Sequence, residues 1–538
     1  MDDVSYNIVG RVWNGLRPVI RRLKSDFARL LVLTILVMVY SIVFRESRGL
    51  GVRVFASPWM LQAAAFTTWG KLMGCLSLIT AIVLWNPRWQ SGNRSGIPDV
   101  RIIIFPTILV LAWPFSVYEY NYVLYQAHLA DRAVIVALAL LCAWRPMFLG
   151  FFITQLGVVL GQLSFPFTFS WTDKSPLIDV LLLSQIYVVG ARLRWWRANH
   201  FLWASIWILA VHYLRPGIGK LELGWLHRNE LANLVQGAIH QNGWLCFGLG
   251  DELCASIVSW VTLLSPVLML AALVVELFPL IYFSGRKVLV VGLSSAIAMH
   301  LGIFASSGIF FWKWIVLDIA FIVAILRVPD FSTKRLFQIR HHVVFCMFLV
   351  PGCLIYATAP RLAWFDAPLC QRYHLEIVGN SGKAYQVPPS ELAPFDLQFA
   401  QGRLFFADSD PMVVDCFGSC GTERVLESTE SIHSVSDLQR VQSTMGQRRY
   451  DARQTEMLTR LLTSFVKQPR EDRKVPFFGM LPGPPQHIWT FPATDVTQER
   501  WAWQEPASEI RVRKLTVSHL DGKKIPIQEK TILEIKVE

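Results

Sequence analysis

The sequence predicts a mainly α polytopic membrane helix bundle of about nine to eleven spans, followed by a β-rich extramembrane C-terminal domain. Of the 538 residues, 53% are hydrophobic and only 17% are charged, whereas soluble domains carry roughly 25% charged residues. The long apolar runs stop near residue 359. Beyond that point, short segments alternate between apolar and polar residues, which is typical of strands.

Three regions follow from this pattern: a basic lead-in (1–25), a helical transmembrane region (26–359) and a β-rich region (360–538). The lead-in contains Arg11, Arg17, Arg21, Arg22 and Lys24, and such basic segments stay in the cytoplasm. The first apolar run begins only after this lead-in, and no cleavage pattern accompanies it. We therefore interpret that run as a retained anchor.

Eleven apolar segments are candidate crossings: 27–44, 66–85, 102–122, 134–144, 147–162, 177–192, 201–215, 255–283, 288–304, 309–326 and 343–359. We expect Pro106 and Pro114 to bend the third. If all eleven cross, every basic cluster between them falls on the side of the N-terminus, which agrees with a cytoplasmic N-terminus and an outside C-terminal domain. Adjacent short segments could instead be re-entrant.

Charge and cysteine content exclude other classes. The net charge is +12, but the basic residues cluster between apolar runs, which favours membrane topology over nucleic-acid binding. The nine cysteines include no CxxC pair, so we expect no metal site. Cys246 with Cys254, and Cys416 with Cys420, could form disulfides on an oxidising side or remain buried thiols.

The C-terminal region contains three strand-like segments, YHLEIVGNSGKAYQV, IRVRKLTVSHL and TILEIKVE. The first has a Gly-Asn-Ser-Gly turn at its centre, which predicts a hairpin. Residues 436–467 between them are polar, and we expect them to be helical. We place this domain on the periplasmic or lumenal face.

The main candidate for chemistry is Lys220, in the stretch WASIWILAVHYLRPGIGKLELGW. We expect the apolar helix before it to end at Pro216 and Gly217, because proline lacks a donor and glycine permits unusual backbone angles. Lys220 would then lie on a turn at the lipid–water boundary. Partial desolvation there favours an uncharged amine that can act as a base; the alternative is a snorkelling anchor.

Other ionisable residues are expected on the same outer side. The turn at 165–176 contains Asp173 and Lys174, and the helix at 288–304 contains His300. These residues could line one outward-facing cavity with Lys220. Alternatively, Asp173 and Lys174 cap the helix that starts near Leu177, and His300 is a satisfied core histidine.

Two carboxylates lie inside apolar runs, Glu276 and Asp318, and such residues are candidates for function. We expect Glu276 to lie near the cytoplasmic end and to pair with Arg286 or Lys287.

Four segments together carry a family resemblance: FTFSWTDKSPLIDVLLL, HYLRPGIGKLELGWL, ELFPLIYFSGRKVLVVGLSSAIAMHLGIFASSGIF and VPPSELAPFDLQFAQGRLFF. In order and separation they resemble the vitamin K-dependent γ-carboxylases and their bacterial relatives with an HTTM domain. The likeness covers roughly residues 130–410. Where family carboxylases have an Asn-His pair, this sequence has Asp173-Lys174.

The resemblance implies a membrane enzyme that uses vitamin K hydroquinone or a related quinol, O2 and CO2 to modify an acidic residue. Lys220 would be the base, and His300, Lys174 and Asp173 would support it. His212, Tyr213 and Trp225 would orient the cofactor. The peptide or protein substrate would arrive from the outer side, and the quinol would enter from the membrane lipid.

Two other functional classes remain open. One is a quinone-linked membrane redox protein with the loop cysteines as acceptors. The other is a non-catalytic scaffold whose outer domain binds a partner. For each we expect a multi-pass protein, in a bacterial inner membrane rather than the endoplasmic reticulum.

Overall fold

The computed structural model describes residues 26–85, 100–117, 128–163, 173–225, 230–242, 244, 251–327, 339–356, 367–392, 395, 399, 402–415, 418–420, 422–467, 477–489, 499, 501, 503, 505–520 and 523–537. The basic lead-in, Cys246 and Cys416 lie outside these residues, and so do both suggested disulfides. Their other members, Cys254 and Cys420, are buried.

Helices make up the first two thirds of the chain. They are α1 (Asp26–Arg45), α2 (Val52–Phe55), α3 (Met60–Ala65), α4 (Thr68–Val83), α5 (Arg101–Val117), α6 (Leu129–Trp144), α7 (Leu149–Leu163), α8 (Ser175–Arg192), α9 (Ala198–Glu222), α10 (Glu230–Asn242), α11 (Asp251–Leu277), α12 (Arg286–Ser307), α13 (Trp312–Arg327) and α14 (Ile339–Pro351). Each of the eleven predicted segments is helical over most of its described length, although 309–326 becomes helical only at Trp312. The mainly helical class is therefore confirmed.

Length and apolar composition separate these helices into two groups. Within the described residues, five stretches are long and apolar enough to cross a membrane: Ala28–Gly49, Ser175–Arg192, Ala198–Glu222, Glu252–Ser284 and Arg286–Ser307. Other apolar helices, such as Thr68–Val83 and Arg101–Val117, are shorter. Five of the eleven predicted crossings thus reach the length of a span.

α9 is the central helix, and α11 lies at the periphery. Trp203, Trp207 and Tyr213 of α9 are fully buried. By contrast, α11 exposes large apolar side chains such as Leu263 and Val267. Exposed apolar surface of this extent is typical of helices that face lipid or another protein.

The predicted break of α9 at Pro216 and Gly217 is wrong. The helix continues through both residues to Glu222 and ends at Leu223, followed by Gly224 with φ +70°. Pro216 removes one backbone donor, but burial of most of α9 against its neighbours stabilises the helix despite this loss. The left-handed angle at Gly224 is typical of a helix end.

The C-terminal region contains a four-stranded antiparallel sheet with the order β2-β1-β3-β4. The strands are β1 (Leu369–Gly379), β2 (Ala384–Val387), β3 (Ala507–Leu520) and β4 (Lys523–Lys536), and the helices are α15 (Glu423–Glu430), α16 (Val435–Met445) and α17 (Ala452–Lys467). The predicted strands are confirmed. Leu458 and Phe465 of α17 share a core with Ile377 and Val512 of the sheet.

A segment of the C-terminal region, residues 482–489, lies along the connection between α12 and α13; we call it the strap. The Phe310 N–H donates to the His487 carbonyl (2.7 Å), and the Trp489 N–H donates to the Gly308 carbonyl (3.0 Å). The Trp312 indole donates to the Pro485 carbonyl (3.0 Å). These bonds fix the strap to the helical region beside His300.

Candidate functional site

Lys220 is buried and forms an ion pair with Glu276 of α11. The Trp225 ring covers the Lys220 ammonium, with its centroid 5.1 Å from Nζ. Gly217 allows the close approach, because a Cβ at this position would lie 3.0 Å from the Glu276 Cβ.

The expected pairing of Glu276 with Arg286 or Lys287 is wrong. Arg286 donates instead to the Leu326 carbonyl (3.1 Å). Lys220 is the partner of Glu276 because α9 packs antiparallel against α11 and against the short 3₁₀ segment that follows α11, Phe278–Ser284. Trp203 packs on Phe283 with ring centroids 5.9 Å apart, which brings the far end of α9 to Glu276.

His300 belongs to a hydrogen-bonded group with Tyr213 and Asp318. The Tyr213 hydroxyl lies 3.1 Å from His300 Nε2 and donates to Asp318 Oδ2 at 2.6 Å. All three side chains are buried. The helices α9, α12 and α13 each contribute one of them, so only the packed bundle creates the group.

Trp314 of α13 joins the sequence-predicted residues. Its ring centroid lies 5.2 Å from Tyr213, 5.6 Å from His300 and 6.0 Å from His212. Its indole N–H donates to the Asp173 carbonyl (3.2 Å). The turn before α8 and the three site helices therefore meet at one aromatic side chain.

Asp173 accepts hydrogen bonds from two lysines, Lys174 and Lys313, each at 2.8 Å. Lys174 is the N-cap residue of α8 but makes no side-chain cap hydrogen bond, so the expected capping by Lys174 is wrong. Hydrogen bonds between an ammonium and a carboxylate are charge-assisted and roughly twice as strong as neutral ones. Burial alone would raise the pKa of Asp173, but both lysines hold it well below its ordinary value.

His487 of the strap is a neighbour that the sequence did not indicate. Its ring packs on Phe311 (5.0 Å between centroids), and Phe311 packs on His300 (4.9 Å). Desolvation lowers the pKa of the half-buried His487 to about 4, opposed by Asp173 and reinforced by Lys313. This imidazole is therefore neutral at pH 7.

His212 belongs to a second buried polar group, which contains Asp179 and Ser41. Its Nε2 lies 3.1 Å from Asp179 Oδ2, and the Ser41 hydroxyl donates to Asp179 Oδ1 (2.7 Å). Two of the three residues predicted to orient the cofactor adjoin the site: Tyr213 contacts His300, and Trp225 contacts Lys220. His212 packs on Trp314, whose ring also adjoins Tyr213 and His300.

Three buried acceptor atoms of the site have no hydrogen-bond partner among the described residues: Glu276 Oε2, His300 Nδ1 and Asp318 Oδ1. Buried polar atoms in proteins are nearly always hydrogen-bonded. Each of these atoms belongs to a residue of the Lys220–Glu276 pair or of the Tyr213–His300–Asp318 group, and each is an acceptor for a hydroxyl donor.

The sequence analysis does not single out four residues of these polar and aromatic groups. Two of them carry a signal in the sequence and two do not. Asp179 and Lys313 are ionisable residues inside apolar runs, so their position alone marks them as candidates. Trp314 and His487 have no such signal, since their role comes from tertiary contacts. In the described part of the chain, no cluster of His, Cys, Asp and Glu could hold a metal ion.

No family model matches the sequence, and neither a curated protein nor a solved structure matches it. The resemblance to vitamin K-dependent carboxylases therefore stays a prediction.

Proposed function

We propose that this protein is an integral membrane enzyme with an acid–base site for a lipid-soluble quinol inside its helical region. One observation carries the proposal: the buried Lys220–Glu276 pair lies beside the buried Tyr213–His300–Asp318 group. Tyr213 and Lys220 both lie on α9, about two helical turns apart. Paired ionisable groups in an apolar interior are typical of catalytic sites.

Membrane embedding is supported by the surface of the helical region. The five span-length stretches and the exposed apolar side chains of α11 match a lipid environment better than water. We place the N-terminus in the cytoplasm and the C-terminal region outside, in a bacterial inner membrane.

A quinol fits the groups that the site presents. Glu276 Oε2, His300 Nδ1 and Asp318 Oδ1 can each accept a bond from a hydroxyl group. Trp225 and Trp314 offer aromatic surfaces beside Lys220 and His300. These residues would hold the ring and its hydroxyls.

The roles of the residues follow from their contacts. When bound, a reduced quinone such as vitamin K hydroquinone would supply an ionisable phenol and the electrons that reduce O2, while CO2 would be the group added to the substrate. Glu276 offers Oε2 as a proton acceptor, while the Lys220 ammonium stabilises negative charge beside it. Because Glu276 engages the Lys220 amine, we assign the base to the pair rather than to the lysine alone.

We further propose that the modified substrate is an acidic residue of a peptide or protein that arrives from the outer side. The family resemblance suggests carboxylation of that residue. The strap supports the direction of approach, because it brings the C-terminal region to the end of α12 near His300.

The test uses the purified full chain in lipid nanodiscs with vitamin K hydroquinone, O2, labelled bicarbonate and a glutamate-rich peptide. We expect label in the peptide. Lys220→Met and Glu276→Gln should each lower the rate about 100-fold or more, as expected for the loss of a general base. The matched control is Lys287→Met, the same change at an exposed lysine, with a rate within about twofold of the unchanged protein.

Two outcomes would contradict the proposal at different levels. Full activity of Lys220→Met and Glu276→Gln would show that the pair is not the base. If no label enters the peptide, a second measurement tests whether the quinol site exists: saturable quinone binding, followed by tryptophan quenching. Binding that is weakened by His300→Leu would preserve the quinol site without carboxylation, and absence of binding would remove the site.

A further inference from the structure

A short apolar turn at residues 477–481 stands out on the surface of the C-terminal region. Phe477, Met480 and Leu481 are 71%, 86% and 44% exposed. Elsewhere in the described part of that region, only Val435 and Tyr450 are exposed large apolar residues. Three such side chains within five residues form a patch rather than scattered exposure.

The turn has a defined backbone that presents these side chains outward. The Met480 N–H donates to the Phe477 carbonyl (3.2 Å), and the Leu481 N–H donates to the Phe478 carbonyl (3.1 Å). Phe477 has φ +66°, which is strained for a residue with a bulky side chain. The fold therefore holds the Phe477 ring at the surface at an energetic cost.

The apolar turn adjoins the exposed apolar side of α5. The Trp113 indole donates to the Pro482 carbonyl, directly after the turn, at 2.8 Å. Trp113 is partly exposed, and Leu109, one helical turn earlier, is 62% exposed. Tryptophan near the end of a membrane helix is typical of the lipid–water interface, so the turn continues a surface suited to lipid.

We propose that the apolar turn inserts into the interface of the phospholipid bilayer and anchors the strap there. This inference rests on the proposal that the helical region spans a membrane. The turn is contiguous with the strap, and the strap is bonded to residues 308–310 beside His300. The anchor therefore connects the lipid surface to the outer end of the candidate site.

The test measures where a spin label at Met480→Cys resides in phosphatidylcholine–phosphatidylglycerol vesicles. All labelled variants also carry Cys75→Ser, which removes an exposed thiol. The signal of this parent protein after labelling is subtracted from that of each variant. Collisions with O2, which concentrates in lipid, are compared with collisions with a water-soluble nickel chelate. Leu109→Cys is the lipid reference, and Tyr450→Cys is the exposed reference on the C-terminal region.

We expect the ratio of O2 to nickel collisions at Met480→Cys to approach that at Leu109→Cys and to exceed that at Tyr450→Cys by about threefold or more. A ratio equal to that at Tyr450→Cys would overturn the anchor. Shielding from both reagents would also overturn it, because protein would then cover the turn. If Leu109→Cys itself reports water, membrane embedding fails, which is distinct from failure of the anchor alone.

Discussion

Lys220 and Glu276 place opposite charges inside a helix bundle. Their side chains are 9% and 7% exposed, so both have lost most of their hydration. The desolvation penalty of such a pair can exceed its Coulombic gain, yet removal of one partner leaves an uncompensated charge and costs about 3–5 kcal/mol. The pair is therefore poorly explained by stability alone, which favours a role in chemistry.

This energetic asymmetry gives the first prediction. Lys220→Met and Glu276→Leu should each lower the free energy of unfolding by about 3–5 kcal/mol, while the double variant should be less destabilised than either. Unfolding in mixed micelles with increasing sodium dodecyl sulfate measures these values. Additive losses in the double variant would show that the two side chains do not interact.

The Tyr213 hydroxyl gives the second prediction, because it connects His300 and Asp318. Tyr213→Phe should cost about 1–3 kcal/mol, since two buried polar groups lose a partner. Tyr282→Phe is the matched control: Tyr282 is equally buried, but its hydroxyl has no hydrogen-bond partner among the described residues. Equal losses in thermal unfolding of both variants would contradict this assignment.

At the scale of elements, the approach of α9 to α11 creates the ion pair. Gly217 is the contact point, with the Glu276 Cβ and the Leu277 side chain nearest to its position. A larger side chain there must push α11 away, and overpacking typically costs about 1–3 kcal/mol.

The third prediction is that Gly217→Leu lowers the unfolding temperature and separates Lys220 from Glu276, with loss of the quinol-dependent activity proposed above. Gly302→Leu on α12 is the control, because a Cβ there meets no atom within 4 Å. Thermal unfolding in nanodiscs compares the two variants. If both behave alike, close helix packing at Gly217 is not required.

The sheet has its own buried charge cluster, in which Asp408 accepts bonds from Lys514 and Lys530, each at 2.6 Å. Burial would raise the pKa of Asp408, but the lysines hold it below its ordinary value. A depressed carboxyl pKa contributes stability above the unfolded-state value of about 3.9. That stability is lost as the pH falls through the lower, folded-state value.

The fourth prediction follows from this sign. Hydrogen exchange of β3 should accelerate as the pH drops below about 4, after correction for intrinsic exchange rates. Asp408→Asn should remove much of this pH dependence and destabilise the sheet at pH 7 by about 3–5 kcal/mol. Glu534→Gln, at an exposed position of β4, is the control. Unchanged pH dependence in Asp408→Asn would refute the assignment.

For the whole molecule, the proposed topology puts α17 outside and the start of α12 in the cytoplasm. The fifth prediction is that a membrane-impermeant maleimide labels Glu456→Cys in spheroplasts. Lys287→Cys should react only after permeabilisation. Both positions are exposed in the protein, so burial does not explain a difference. The opposite labelling pattern would show that the protein has the reverse orientation in the membrane.

The sequence by itself determined the positions of the apolar helices and of the C-terminal strands. Apolar runs and alternating segments report which residues avoid water, and this information is local. It also marks Lys220, His300 and Asp318 as ionisable residues in apolar surroundings, which makes them candidates for function.

Only the tertiary structure decided the partners of those residues. Glu276 lies 56 positions from Lys220, whereas the sequence favours the nearer Arg286 and Lys287 as its counter-charges. The antiparallel packing of α9 on α11, the continuation of α9 through Pro216, and the strap that brings His487 to Phe311 overrode this local pattern. Such contacts depend on how whole helices pack, because a side chain pairs with whichever group the fold places nearest rather than with the nearest group along the chain.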